Sequence, residues 1–415
     1  MIRLKVSFSA ATARSGFELF GEGELVISGQ DVVAVVYGED ITKGSPVVVK
    51  FDFGPTKLAN PSTLPTDTGY GCTFDPTGTY LAVAHRSSPY ITIYKRSGDT
   101  FTKLADPATL PAYTGRGCAF DPTGTYLAVV HDGSPRITIY KRSGDTFTKV
   151  ADPSTLLPST GRGCAFDPTG TYLAVAHTAS PYITIYKRSG DTFTKLADPA
   201  TLPTGTGYGC AFDPTGTYLA VAHNNSPYIT IYKRSGDTFT KVANPATLPT
   251  GTGYGCAFDP TGTYLAVAHN NSPYITIYKR SGDTFTKVAD PSTLSTDTGY
   301  GCAFDPTGTY LAVTHDGSPY ITIYKRSGDT FTKVANPATL PTGTGYGCAF
   351  DPTGTYLAVA HDGSPRITIY NSSSPAVFKT GNSLFDIQAD DVVAVGYAKE
   401  DGLAGETKEI VRIWR

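Results

Sequence analysis

The stretch Phe74-Asp-Pro-Thr-Gly-Thr-Tyr-Leu-Ala-Val-Ala-His85 recurs almost unchanged in seven consecutive copies of a 46-residue unit. Each copy carries one cysteine at the same place, from Cys72 to Cys348, and one histidine, ending with His361. Exact periodicity of this length is typical of repeat architectures, in which one unit cannot bury its own apolar face and needs stacked neighbours. The repeat therefore predicts one closed body in spite of the chain's length of 415 residues.

Four short segments of the first copy, 71–74, 80–85, 90–94 and 100–104, have the composition of strands. The turn 75–78, Asp-Pro-Thr-Gly, has Pro at its second position and Gly where a positive φ is favoured. The second segment is apolar on both faces, as expected for a sheet that is covered on both sides. Four antiparallel strands in each unit predict the blade of a β-propeller.

The same pattern, followed by an Ile-Thr-Ile-Tyr strand, resembles WD40-like repeats over about three quarters of the chain. Tyr94 and Lys95 stand where the family's Trp-Asp signature would, so its buried hydrogen-bond tetrad is not carried over. The near-identical units also resemble propellers encoded in phage and prophage tail regions. That resemblance implies a propeller that is part of a virion.

The two ends of the chain contain degenerate copies of the unit. Residues 31–37 and 391–397 align with the second strand, and residues 47–51 and 409–415 align with the third. We therefore predict an all-β, closed propeller of nine four-stranded antiparallel blades. Residues 2–8 would supply the last missing strand, so that N- and C-terminal strands share a blade and no sheet edge is exposed. A ring of seven or eight blades with a terminal appendage is the alternative.

On this count the whole chain, 1–415, is one propeller domain. It comprises a degenerate first blade with the closing strand (1–60), the seven repeats (61–380) and a degenerate last blade (381–415). Basic and acidic residues are balanced, 34 against 36, which argues against a nucleic-acid partner. The N-terminal residues alternate between apolar and polar, so we expect neither a signal peptide nor membrane insertion.

Variation among the copies is concentrated on one predicted face of the disc, which carries the loop after the second strand and the connector between blades. Its tyrosines, arginines and asparagines match the residue usage of recognition surfaces. The alternative is that tight turns need their Gly and Pro, whereas loops are free to drift. The binding-face candidates are Tyr70, Tyr90, Arg116, Arg136, Arg162, Tyr182, Tyr208, Asn224, Asn225, Tyr228, Tyr254, Asn270, Asn271, Tyr274, Tyr300, Tyr320, Tyr346 and Arg366.

Long charged loops in the two degenerate units, 38–46 and 398–408, form a second candidate surface, which would dock the propeller onto a larger assembly. Drift at the chain ends explains them equally well. The docking candidates are Glu39, Asp40, Lys43, Lys399, Glu400 and Asp401.

Recurrent Cys and His residues raise the question of catalysis. Cys72 and His85 could form a nucleophile–base pair, but no third orienting group recurs with them. We predict no metal site and no cofactor, because equivalent histidines on neighbouring blades would be too far apart to share an ion. The Lys95-Arg96 pair and its equivalents form a candidate basic ring, which Asp99 largely neutralises.

These patterns favour a non-enzymatic structural or binding module, by resemblance a phage virion protein of the tail or capsid decoration. Repeated surfaces suit multivalent attachment to host-surface glycans. Its partners would be other virion proteins and host-surface polysaccharide, and its location the virion or, alternatively, the cytoplasm. The first alternative is an intracellular WD40-like scaffold for protein–protein interaction. The second is a propeller enzyme of the lactonase or lyase type, with its unique residues in one blade.

Overall fold

A computed structural model describes residues 2–8, 21–28, 31–36, 46–52, 55–372, 377–379, 393–397 and 407–408, with side chains in 55–372. The chain divides into two compact units. One comprises Gly54–Ser373, and the other comprises Met1–Phe53 together with Ser374–Arg415.

The unit Gly54–Ser373 contains seven sheets of four antiparallel strands each, which are the blades of the propeller. The first strands are Gly69–Phe74, Gly115–Phe120, Gly161–Phe166, Gly207–Phe212, Gly253–Phe258, Gly299–Phe304 and Gly345–Phe350. The second strands are Tyr80–His85, Tyr126–His131, Tyr172–His177, Tyr218–His223, Tyr264–His269, Tyr310–His315 and Tyr356–His361. The third strands are Ile91–Ser97, Ile137–Ser143, Ile183–Ser189, Ile229–Ser235, Ile275–Ser281, Ile321–Ser327 and Ile367–Asn371. The fourth strands are Thr100–Lys103, Thr146–Lys149, Thr192–Lys195, Thr238–Lys241, Thr284–Lys287, Thr330–Lys333 and Thr56–Lys57.

The core lies between blades, because each second strand is apolar on both faces. Leu219 and Val221 point to one side of their strand and pack in one cluster with Ala174 and Ala176 of the preceding blade. All four side chains are fully buried. Large residues on one face therefore meet small residues on the next, which allows close packing. The repeat reproduces this contact at the other blade interfaces, with Val130 and Thr314 in place of the second alanine at two of them.

The ring has seven blades, so the predicted count of nine is wrong and the sevenfold alternative is correct. The strand Thr56–Lys57 completes the last blade by pairing with Ile367–Asn371, and Leu58 N donates to Ile369 O at 2.8 Å. Residues 56–61, Thr-Lys-Leu-Ala-Asn-Pro, repeat the Thr-Lys-Leu-Ala-Asp-Pro that begins at Thr102. The segment before the first full copy is thus the missing fourth strand of the seventh.

Residues 2–8 do not close the ring as predicted. Ile2–Phe8 pairs with Gly21–Ser28 in a sheet of the other unit, which continues through Asp31–Val36 to Thr407–Lys408. In a second sheet of that unit, the strand Pro46–Asp52 lies between Val377–Lys379 and Val393–Tyr397. N- and C-terminal strands therefore do share sheets, but these sheets are not blades of the sevenfold ring.

A repeated polar latch joins neighbouring blades where the third strand turns into the fourth. The Tyr172 hydroxyl contacts Gly236 O at 3.2 Å and donates to Asp237 Oδ1 at 2.6 Å. Lys187 forms an ion pair with the same carboxylate at 2.8 Å, and the Arg234 guanidinium lies 4.7 Å from the Tyr172 ring centroid. Lys187 is therefore neutralised by a turn aspartate, and five of the six lysines at this position have such a partner among the described residues.

The partner of each lysine differs from our expectation. Lys95 binds Asp145, which belongs to the turn of the following blade, and not Asp99 of its own turn. Asp99 instead accepts a hydrogen bond from Tyr356 at 2.6 Å. The latch therefore ties blades to one another rather than stabilising each turn.

We expect Tyr172→Phe to lower the free energy of unfolding by about 1 kcal/mol, because it removes a hydroxyl bound to a carboxylate. Tyr310→Phe is the matched control, since Pro375 stands where the corresponding aspartate would be. Denaturant unfolding followed by circular dichroism compares the two variants. Equal losses of stability would contradict a stabilising role for the latch.

Candidate functional site

The variable loops and the connectors meet on one face of the propeller. Arg86 N donates to Thr68 O at 3.0 Å, and Thr66 Oγ1 donates to Ser88 O at 2.8 Å. The invariant turns contact each other on the opposite side of the blade, where Arg96 Nε donates to a turn carbonyl at 2.6 Å. The variable positions therefore share one surface.

The recurrent cysteines and histidines have separate structural partners. The Cys72 thiol lies 3.6 Å from Ala358 O of the neighbouring blade, and burial raises the pKa of Cys72 to about 12. His85 Nε2 contacts Thr92 Oγ1 at 2.9 Å. With this raised pKa the thiol stays protonated, and a protonated thiol is a weak nucleophile. Its contacts are those of a packing residue between blades.

The cysteines and the glycines before them line a cavity of about 200 Å³, to which all seven blades contribute. We call this the axial cavity. Its lining residues are Gly71, Cys72, Gly117, Cys118, Gly163, Cys164, Gly209, Cys210, Gly255, Cys256, Gly301, Cys302, Gly347 and Cys348.

Between each lining glycine and the start of its strand stands one of the predicted binding-face residues. We call this set the axial ring, and it consists of Tyr70, Arg116, Arg162, Tyr208, Tyr254, Tyr300 and Tyr346. Adjacent tyrosines contact each other through their rings, with centroid distances of 4.9 Å for Tyr208–Tyr254 and 5.1 Å for Tyr300–Tyr346. The ring centroids of Tyr346, in the seventh blade, and Tyr70, in the first blade, are 5.2 Å apart. All seven side chains remain partly exposed, so the ring offers aromatic surface to a ligand.

Two arginines interrupt the tyrosines on adjacent blades. The Arg116 guanidinium lies 4.8 Å from the Tyr70 centroid and binds Asp132 through both nitrogens Nε and Nη2, at 2.9 and 2.8 Å. The Arg162 guanidinium lies 5.8 Å from the Tyr208 centroid, and its buried Nε has no hydrogen-bond partner among the described residues. The two arginines therefore differ in their charge compensation.

The electrostatics of the axial ring change from one side to the other. Burial lowers the pKa of Arg116, but the hydrogen bond and charge of Asp132 outweigh it and hold that pKa above its usual value. Burial, followed by the charge of Arg116, lowers the pKa of Arg162. On the other side, burial and then the charge of Asp362 raise the pKa of Tyr346 to about 12. The ring thus has a cationic side and an acidic side.

A second set of predicted binding residues comes directly after the loop prolines. Their backbone conformation and backbone hydrogen bonds form the loop. These residues all have positive φ values, between 65° and 70°, and the Tyr90 carbonyl accepts the His85 N–H at 3.0 Å. No ring contact joins them to the axial ring within residues 55–372. The set is Tyr90, Arg136, Tyr182, Tyr228, Tyr274, Tyr320 and Arg366.

The predicted asparagines brace the loops. Asn225 Nδ2 donates to Thr204 O at 3.0 Å, and Asn271 does the same to Thr250 O at 2.9 Å. Asn224 and its equivalent Asn270 each have a buried Oδ1 without a hydrogen-bond partner in the described part of the chain. The six docking candidates lie outside the described residues.

Among the described residues, no group of three or more His, Cys, Asp or Glu side chains could hold a metal ion. Nor do they include a helix with the length and apolarity that a membrane crossing requires.

The unit Gly54–Ser373 is thus a seven-bladed β-propeller with WD40-like blades. Residues 73–151 match a family model described as a lactonase, 7-bladed beta-propeller. No curated protein matches the chain.

Solved structures share the fold at low sequence identity. Hydrazine synthase of Kuenenia stuttgartiensis is 16% identical with a TM-score of 0.61, covering 76% of this chain and 98% of that one. A protein from Lactobacillus plantarum is 16% identical with a TM-score of 0.57, covering 72% and 98%. A chain of the mitotic checkpoint complex is 15% identical with a TM-score of 0.60, covering 78% and 97%. These likenesses concern the fold alone.

The family match contradicts our prediction that the chain is not an enzyme, because it points to a propeller family named for an activity. The named likenesses lend no support to a phage origin. Virion attachment and glycan binding therefore remain predictions.

Proposed function

We propose that the protein is a propeller enzyme of the lactonase type, which binds a cyclic ester at the axial ring and hydrolyses it there. The observation that carries this proposal is the position of the family match. Residues 73–151 include both Arg116 and Asp132, the ion pair that makes one sector of the axial ring unlike the tyrosine sectors.

Hydrolysis of a lactone requires a base for the attacking water and a donor for the oxyanion that forms. The side chains of Arg116 and Asp132 are 23% and 31% exposed, so a bound ester and water can reach them. Asp132 engages Nε and Nη2 of Arg116 and leaves Nη1 outside the pair. Arg116 therefore orients the carboxylate and still presents a charged donor.

In this reaction Asp132 acts as the base. Its carboxylate accepts a proton from water while the water oxygen bonds to the carbonyl carbon, and Nη1 of Arg116 stabilises the resulting oxyanion. The ring C–O bond then breaks, and the leaving oxygen takes the proton back from Asp132. The product is the open-chain hydroxy acid. The tyrosines of the axial ring hold the apolar face of the substrate.

A pH-stat assay of the purified full chain against five- and six-membered lactones tests the proposal. We expect turnover that falls by about 100-fold or more in Asp132→Asn, because the base is lost. Asp362→Asn is the matched control, since Asp362 occupies the equivalent loop position but follows Tyr346 rather than an arginine. Its activity should stay close to that of the unaltered protein.

Two results would overturn the proposal. One is the absence of turnover with every lactone of the panel. The other is an equal loss of activity in Asp132→Asn and Asp362→Asn, which would remove the special role of the Arg116 sector.

A further inference from the structure

Arg162 lacks the carboxylate partner that its neighbour in the ring possesses. In the second blade, Asp132 occupies the first loop position and binds Arg116 at 2.8 Å. In the third blade, the equivalent position is Thr178. The Thr178 hydroxyl is engaged elsewhere, 2.5 Å from Ser159 Oγ. The third blade therefore contains the arginine of the second blade but not the aspartate that binds it.

The guanidinium of Arg162 has a hydrogen-bond donor that no acceptor of the described residues meets. Nε of Arg162 is buried without a hydrogen-bond partner among the described residues, and arginine stays protonated at any ordinary pH. A buried charged donor without an acceptor costs free energy. The neighbouring guanidinium of Arg116 adds positive charge, which burial of Arg162 makes harder to screen. The buried Nε is closed to solvent, so an incoming anion would compensate the charge and bind the two terminal nitrogens of the guanidinium.

We propose that Arg162 is the centre of a binding site for an oxyanion, a carboxylate or phosphate group, on a small ligand whose apolar part lies against Tyr208. The planar fork of an arginine binds such groups through two parallel hydrogen bonds. Asp132 already accepts hydrogen bonds from two nitrogens of Arg116. Arg116 therefore contributes positive charge to the site but does not bind the anion directly. Tyr208 is partly exposed and lies beside the Arg162 guanidinium. This proposal requires a ligand at the axial ring and is independent of lactone hydrolysis.

The test uses benzoate and inorganic phosphate as probes in calorimetric titrations of the full chain. Arg162→Tyr removes the site and introduces the residue found at five of the other six ring positions. Thr178→Asp supplies the missing carboxylate, as Asp132 does one blade earlier. Because both substitutions copy other blades, both variants are expected to fold. We expect each to weaken binding by about tenfold or more, since a charged hydrogen-bonding partner is lost or already occupied.

Thr178→Asn is the matched control for Thr178→Asp, because it has the same shape without the charge and Asn224 stands at the equivalent position. We expect it to retain the affinity of the unaltered protein. Stronger binding of benzoate would identify a carboxylate ligand, and stronger binding of phosphate a phosphate ligand; either supports the site. The proposal is overturned if neither anion binds saturably. It is also overturned if Arg162→Tyr binds unchanged, or if Thr178→Asn loses as much affinity as Thr178→Asp.

Discussion

Lowering the pH from 7 to 5 is expected to unfold the propeller, because seven buried histidines must stay neutral in the folded state. Each has no exposed surface and contacts a buried threonine hydroxyl through Nε2 at 2.9 or 3.0 Å. Burial lowers the pKa to about 4 in six of them and lowers it also in His315. The seven are His85, His131, His177, His223, His269, His315 and His361.

The direction of the effect follows from proton binding in the two states. An unfolded histidine takes up a proton as the pH falls through about 6.5, whereas the folded one resists protonation until about pH 4. Stability is therefore present above about pH 6.5 and is lost between pH 6.5 and 4. The loss is on the order of 1 to 3 kcal/mol for each histidine across this window. Seven such losses approach the whole stability of a typical domain.

Carboxylates lose their contribution to stability at a lower pH than the histidines do. The pH at which stability falls therefore distinguishes the two causes of acid unfolding. Hydrogen bonds from Lys95 and Tyr80 hold the pKa of Asp145 below its usual range, so its contribution is lost only in more acidic solution. Denaturant unfolding at several pH values measures the loss. Circular dichroism is the suitable signal, because the single tryptophan, Trp414, lies outside residues 55–372.

His269→Gln tests the assignment within one blade. We expect the number of protons taken up on unfolding at pH 5 to fall by about one, because glutamine does not titrate. A stability that stays flat between pH 7 and 5 in the unaltered protein would contradict the prediction. So would an unchanged proton uptake in His269→Gln.

The blade itself follows from the sequence, because local rules decide its strands. The short apolar run that follows the Asp-Pro-Thr-Gly turn predicts the second strand at 80–85, and the structure has it at Tyr80–His85. The number of blades was missed because the closing strand, Thr56–Lys57, has only two residues. A signal was present in the Thr-Lys-Leu-Ala-Asn-Pro that starts at Thr56. Its position before the first full copy concealed its place in the last blade.

The axial ring could be predicted in part. Comparison of the copies selects its members, because position 70 and its equivalents alternate between tyrosine and arginine. Which members touch depends on closure: Tyr70 contacts Tyr346 only because the seventh blade lies beside the first. The lone charge of Arg162 likewise appears only once the Arg116–Asp132 pair is seen. Contacts between blades depend on ring geometry, which a single repeat does not contain.

We expect Gly209→Ala, in the axial cavity, to lower the free energy of unfolding by about 3 kcal/mol or more. A Cβ atom at Gly209 would lie 2.7 Å from Tyr254 O and 3.1 Å from the Cα of Gly255. Both are backbone atoms of the next blade, so relief requires that two blades move apart rather than that one side chain rotates. The shift of the denaturation midpoint, followed by circular dichroism at constant pH, measures the cost.

Gly133→Ala provides the matched control, because its clash is with a side chain. A Cβ atom there would lie 2.2 Å from a ring carbon of Tyr113, but Tyr113 is 62% exposed and can rotate away. Alanine already occupies the equivalent position in the next blade, at Ala179. We therefore expect a change within about 0.5 kcal/mol, as for an ordinary surface substitution. A small effect at both positions would mean that the blades are not held in close contact around the axial cavity, whereas a large effect at Gly209 alone would locate the rigid part of the ring at its axis.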